Sequence, residues 1–79
     1  MIDIKPIDPD RTGYNLYCIR VKEGLKVREV CDRLHLSKGA VYKWERAESL
    51  PSLKHLLELS LLYRVKIEDI LIPLRDTDR

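Results

Sequence analysis

Seventy-nine residues have room for one small core and no second domain, near the lower limit for a chain that folds without disulfides or metal. Two cysteines, Cys18 and Cys31, are too few for a secreted disulfide framework; with an acidic, proline-punctuated start and a leucine run interrupted by Glu58 and Ser60, neither a signal peptide nor a membrane span is expected, and the chain reads as cytoplasmic. The net charge of +2 is small, but residues 20–46 carry eight Lys or Arg against four acids, while 1–19 and 47–79 each come to −1, so positive charge gathers mid-chain.

Ile2-Asp3-Ile4-Lys5-Pro6-Ile7 alternates apolar and polar residues with a proline near its end, the pattern of a short extended arm or edge strand. Asp8-Pro9-Asp10 reads as a turn. Thr12 is placed to cap a first helix running to about Glu23, with Leu16, Ile19 and Arg20 on one face and Gly24 as its stop. Tyr14, Tyr17, Cys18 and Val21 lie on its other sides, more apolar surface than a solvated face carries, so something is expected to cover them.

Val27, Val30, Cys31 and Leu34 follow at i, i+3, i+4, i+7 with Arg28, Glu29, Asp32 and Arg33 opposite, a short half-buried second helix that stops at His35-Leu36-Ser37. Ser37 is positioned to accept from the first free amides of a third helix, which continues to Arg46. At about 100° per residue, Ala40, Val41, Trp44 and Ala47 fall on one side of that helix, and Lys38, Gly39, Tyr42, Lys43 and Arg46 on the other. An ordinary solvated face mixes both signs as i,i+4 partners. This one carries three cations, a tyrosine and a bare backbone at Gly39, with Glu45 only at its edge, and phosphates can approach it closely. Leu50-Pro51-Ser52 then breaks the chain. Ser52 is expected to cap a fourth helix, Leu53 to about Tyr63, whose leucines occupy nearly its whole circumference and mark it as central. A helical turn over Ile67–Leu71 and a second extended piece around Pro73 precede a polar tail.

No nucleophile with a base, phosphate-cradling glycine loop or carboxylate pair is present, so neither enzyme activity nor a cofactor is expected. Cys31 and His35 stand at i,i+4, a spacing that can hold a metal. Cys31 belongs to the core face, however, and a fourth ligand is lacking even if Cys18 is counted, so no metal is expected.

Leu25, Val30, Cys31, Leu34, Leu36-Ser37, Val41, Trp44-Glu45-Arg46, Leu50-Pro51-Ser52 and Ile70-Leu71 together resemble the Cro and phage-repressor-type helix-turn-helix domains, the Xre family. The resemblance implies an all-α, compact five-helix bundle, lambda-repressor-like, with residues 1–12 as an N-terminal arm, 13–71 as the DNA-binding domain, 72–79 as a tail, and short extended terminal arms. It implies a transcriptional regulator, in the first instance a repressor, that binds double-stranded DNA as a homodimer on a two-fold symmetric operator. Carried over by position, base reading falls on Lys38, Gly39, Tyr42 and Lys43, with Ser37 and Arg46 nearer the phosphates, and an ion pair is implied between Arg20 and Glu45. The departures are specific. Lys26 stands where the family has a Ser or Thr cap and Val27 where it has a phosphate-holding glutamine, so the Val27 amide, with Lys26 and Arg28 as point charges, takes over that contact. His35 replaces the turn glycine, and Leu61 takes a position that is often charged. Ile2, Ile4, Tyr14, Cys18, Val21, Leu61, Ile72 and Leu74 are the candidates for a dimer surface. The same apolar positions suit the alternative, a protein-interaction module such as the antitoxin of a toxin-antitoxin pair or an adaptor.

Overall fold

The computed structural model describes residues 6–75, and Ile2 and Ile4 lie outside them. Five helices follow in order: α1 (Pro9–Lys22), α2 (Val27–Leu34), α3 (Lys38–Glu45), α4 (Leu53–Tyr63) and α5 (Ile67–Ile70). α1 begins before the expected Thr12 cap. The Asp8 side chain accepts from the Arg11 N–H at 3.1 Å, and Pro9 fills the first helical position, where its missing N–H costs nothing. Asp8-Pro9-Asp10 is therefore a helix start and not a turn, and the arm ends at Asp8 rather than residue 12.

Thr12 instead lies fully buried inside α1. Its Oγ1 accepts from the Ile72 N–H at 2.9 Å, while the Asp8 N–H donates to the Ile72 carbonyl at 2.7 Å and the Leu74 N–H to the Pro6 carbonyl at 2.9 Å. Arm and tail thus pair within one chain through an antiparallel bridge, Ile7 to Pro73. This occupies the backbone groups that the same pairing across two chains would use, and leaves Ile72 and Leu74 half-buried.

Leu16, Val30, Val41, Leu59, Tyr63 and Ile70 are the most deeply buried apolar side chains, with Trp44 and Cys31 beside them. The expected inner faces of α1, α2 and α3 all contribute to this core. α4 departs from expectation. It buries Leu56, Leu59, Ser60 and Tyr63 but leaves Leu53, Leu57 and Leu61 in water, so it borders the core rather than running through it.

Helix stops set the entry angle of each following helix. Gly24 takes φ +72° after α1, but His35 (φ 54°), Ala47 (φ 63°) and Arg64 (φ 60°) take the left-handed conformation without being glycine. His35 closes α2 with the Leu36 N–H donating to the Cys31 carbonyl at 2.9 Å, which makes the tight turn into α3.

Candidate nucleic-acid interface

α3 is short, and its position is fixed from behind. Val41 and Trp44 are buried, and Gly13 of α1 meets its C-terminal end so closely that an added Cβ would stand 2.8 Å from the Trp44 carbonyl oxygen and 2.9 Å from that of Glu45. Glu45 is then held by Arg20. The guanidinium donates from Nε to Oε2 at 2.7 Å and from Nη2 to Oε1 at 3.1 Å, and its remaining arm, Nη1, donates to the Leu25 carbonyl at 2.8 Å. Both side chains are largely buried, 11% and 8% exposed. The bond to Glu45 holds the Arg20 guanidinium above its ordinary pKa, outweighing the burial that would lower it. A bidentate pair of this kind fixes orientation as well as distance.

With its back anchored, α3 turns Lys38, Gly39, Tyr42, Lys43 and Arg46 outward, all exposed. Arg46 lies over the Tyr42 ring with 5.3 Å from its guanidinium carbon to the ring centroid, so the cation and the aromatic form one surface at the end of the helix. From Lys38 to Arg46 the helix rises ~12 Å, about the width of a DNA major groove. Ser37 precedes α3 in an extended conformation, but its side chain makes no capping hydrogen bond. The expected cap is absent, and the hydroxyl remains exposed beside Gly39, whose missing side chain leaves only Ser37 Oγ, 3.8 Å away, near an ideal Cβ.

Clefts beside this helix also take in the starts of other helices. The first, about 610 Å³, is lined by Lys26, Val27, Arg28, Glu29, Lys38 and Tyr42, so the start of α2 opens beside the start of α3. The amides of Val27 and Arg28 belong to the first turn, where a helix has no internal acceptors, and they suit an anion. Glu29 opposes that attraction in part. Its carboxylate already accepts the Lys26 N–H at 3.0 Å, the half of a capping box that does not need a Ser or Thr at the cap. The second cleft, about 440 Å³, includes Gly39, Lys43, Ser49, Ser52 and His55 among its walls, bringing the start of α4 to the opposite side of α3. Ser52 caps α4 by accepting the His55 N–H at 3.3 Å and lies 3.1 Å from His55 Nδ1, while the His55 ring stacks at a tilt on Trp44, 5.2 Å between centroids. Ser49 and His55 were not singled out as site residues from sequence. Their only signal was position, in the first turn of α4 and the loop before it.

A helix, a tight turn and a second helix make a pattern shared beyond this chain. A helix-turn-helix family model matches residues 19–70. The chain belongs to the Cro/C1-type helix-turn-helix family of DNA-binding transcription regulators. No curated protein matches it in sequence. Among solved structures, this helix-turn-helix chain is similar to the DNA-binding domain of BldD from S. venezulae, with 25% identity over 80% of this chain and 94% of that one and a TM-score of 0.69. It shares its fold with the restriction-modification controller protein C.AhdI from Aeromonas hydrophila (22% identity, 80% and 96% covered, TM-score 0.73). The clp gene regulator ClgR from C. glutamicum is similar to the same degree (21%, 84% and 86% covered, TM-score 0.71). Within the helix-turn-helix, α2 is the supporting helix and α3 the second. Among the described residues no cluster of three potential metal ligands occurs and no helix is long and apolar enough to cross a membrane.

Proposed function

We propose that the chain is a sequence-specific transcriptional repressor that binds a two-fold symmetric operator as a dimer, with α3 in the major groove. The observation that carries this is the outer face of α3, three cations and a tyrosine with no acid, between clefts into which two other helix starts open. Lys38 and Lys43 are assigned to base edges or nearby phosphates, Gly39 and Tyr42 to close approach at the groove floor, and Ser37 and Arg46 to the groove edges. On the first flank a phosphate is received by the Val27 amide with Lys26 and Arg28, the side chain of Val27 having nothing to offer it. Repression follows from occupancy, since a domain seated across a promoter blocks it. The role is one of binding, without catalysis, in the cytoplasm.

Selection of sites from random duplex DNA tests the reading. A two-fold symmetric enriched site is expected, with affinity that falls steeply as salt rises. Lys38→Ala/Lys43→Ala should weaken that site by at least ~10-fold, each lysine that reads a base contributing about 1–3 kcal/mol. Unchanged binding by the folded double variant would move the interface away from α3.

The exposed Tyr14, Tyr17 and Val21 of α1 support a second reading, a module that holds a partner protein such as a toxin. Enrichment of no DNA site, together with co-purification of a neighbouring gene's product, would favour it.

A further inference from the structure

The three leucines that α4 withholds from the core are spaced four residues apart and project from one side of the helix. Leu53 and Leu61 leave 77% and 72% of their surface in water, and Leu57, between them, 52%. The core takes Leu56, Leu59 and Tyr63 from the other side and needs none of the three. Folding therefore does not account for this stripe, and a contiguous apolar strip on a small domain marks a contact surface. We propose that it is the seam of a homodimer, in which α4 packs antiparallel on α4 of a second copy about a two-fold axis at Leu57. The proposal rests on the reading of the chain as a regulator of a symmetric site and gives that dimer its surface.

Three features select a second copy as the occupant. The stripe is symmetric about its own centre: a two-fold axis at Leu57 sets that residue against itself and Leu53 against the partner's Leu61, so one strip satisfies both subunits. Charge is the second feature. Lys54 and Glu58 lie along one flank of the stripe, and the antiparallel arrangement brings Lys54 to within ~3 Å along the axis of the partner's Glu58, forming two reciprocal pairs. In a two-fold parallel arrangement the charged flanks of the two copies fall on opposite sides of the seam, and neither pair forms. The third feature is size. Three leucines and a charged flank from each copy make an interface below the ~800 Å² per partner of a standard complex, suited to a dimer that forms weakly alone and is completed on a two-half-site operator.

Sedimentation equilibrium of the full chain tests the seam. Wild type should be dimeric at roughly 100 µM and dissociate on dilution, as expected for a small interface. Leu57→Glu places two like charges on the axis and should be monomeric throughout, with unchanged circular dichroism because Leu57 lies outside the core. Lys54→Glu should weaken the dimer, and Lys54→Glu/Glu58→Lys should restore it. On the selected operator, Leu57→Glu should lose roughly 100-fold in affinity for the full site while keeping its affinity for a half-site. A monomeric wild type at that concentration, a Leu57→Glu variant that still dimerises, or a dimer broken only by Val21→Glu on α1 would each overturn the seam. The two readings fail separately. A dimer lost with Leu57→Glu in a protein that enriches no DNA site leaves the seam standing without the operator; full-site binding undiminished in Leu57→Glu removes the seam and leaves the operator.

Discussion

A guanidinium with all its arms engaged has no alternative partner when one is removed, and this governs what Glu45 is worth. Arg20 donates twice to Glu45 and once to Leu25 in a place that water scarcely reaches. Glu45→Ala would strand the cation and is expected to cost about 3 kcal/mol, the lower end of the ~3–5 range for breaking buried pairs because Arg20 keeps its bond to Leu25. Arg20→Leu/Glu45→Leu should lose much less, since it removes both charges together. Urea denaturation measures both, and a loss below ~1 kcal/mol for Glu45→Ala would place the pair with ordinary surface bridges. The pairing was legible because a charged residue on a core-facing row needs a partner. Ser37 was not legible in the same way. Its identity suited a cap, but whether a hydroxyl turns toward the free amides or toward solvent depends on a rotamer that residue type does not determine.

Between elements, α1 comes close to α3 at Gly13, and that approach depends on a missing methyl group. Helix propensity alone says that Gly13→Ala should stabilise α1 by ~0.5–1 kcal/mol. Two backbone carbonyls of α3 stand inside 3.0 Å of the position a Cβ would take, and neither can turn aside as a side chain would. Overpacking should prevail, giving a net loss of about 1–3 kcal/mol and a shift of α3 that weakens DNA binding as well. A Gly13→Ala protein with wild-type stability or better in thermal and urea melts would show that the helices can part freely. Nothing in the sequence marked Gly13, because a glycine inside a helical pattern reads as a tolerated weakness until the neighbour above it is known. α1's start was misread for a related reason. Asp-Pro serves equally as a turn and as a cap followed by a first helical residue, and only the pairing of arm with tail distinguishes them. The amphipathic α2 and α3 were legible almost to the residue, since each has one buried side. α4 was not, because leucines all round a helix describe both a central helix and one with a second contact face.

At the scale of the whole molecule, the core contains two groups that hold their protons more tightly folded than unfolded. Burial raises the Tyr63 phenol far above its ordinary value, with the Glu45 carboxylate adding to the shift and Arg20 opposing it, and burial likewise raises the Cys31 thiol. Their contribution to stability is fully present below the unfolded values of 9.0 for the thiol and 10.0 for the phenol. It declines as pH rises beyond these, because the unfolded chain releases the protons at lower pH than the folded one. Stability should thus be level from neutral pH to about 9 and then fall, with each group adding at most ~1.4 kcal/mol per pH unit. Tyr63→Phe should make the fall above pH 10 shallower. Denaturation curves at a series of alkaline pH values with equal slopes for both proteins would refute this.

The bridge from Ile7 to Pro73 closes nearly the whole length of the described chain upon itself. Helices α2 and α3 find their contacts within a few turns of sequence, but this pairing must wait until everything between its two partners is in place. Closing so long a loop also costs conformational entropy that a few hydrogen bonds repay late. The first turn of α1 and the tail are therefore expected to settle last and to open first, like a clasp on a bracelet. While it is undone, Thr12 and Ile72 face water, yet the anchor of α3 on Arg20 lies eight residues further along α1. A reader of DNA built this way can breathe at its ends and keep its grip in the groove.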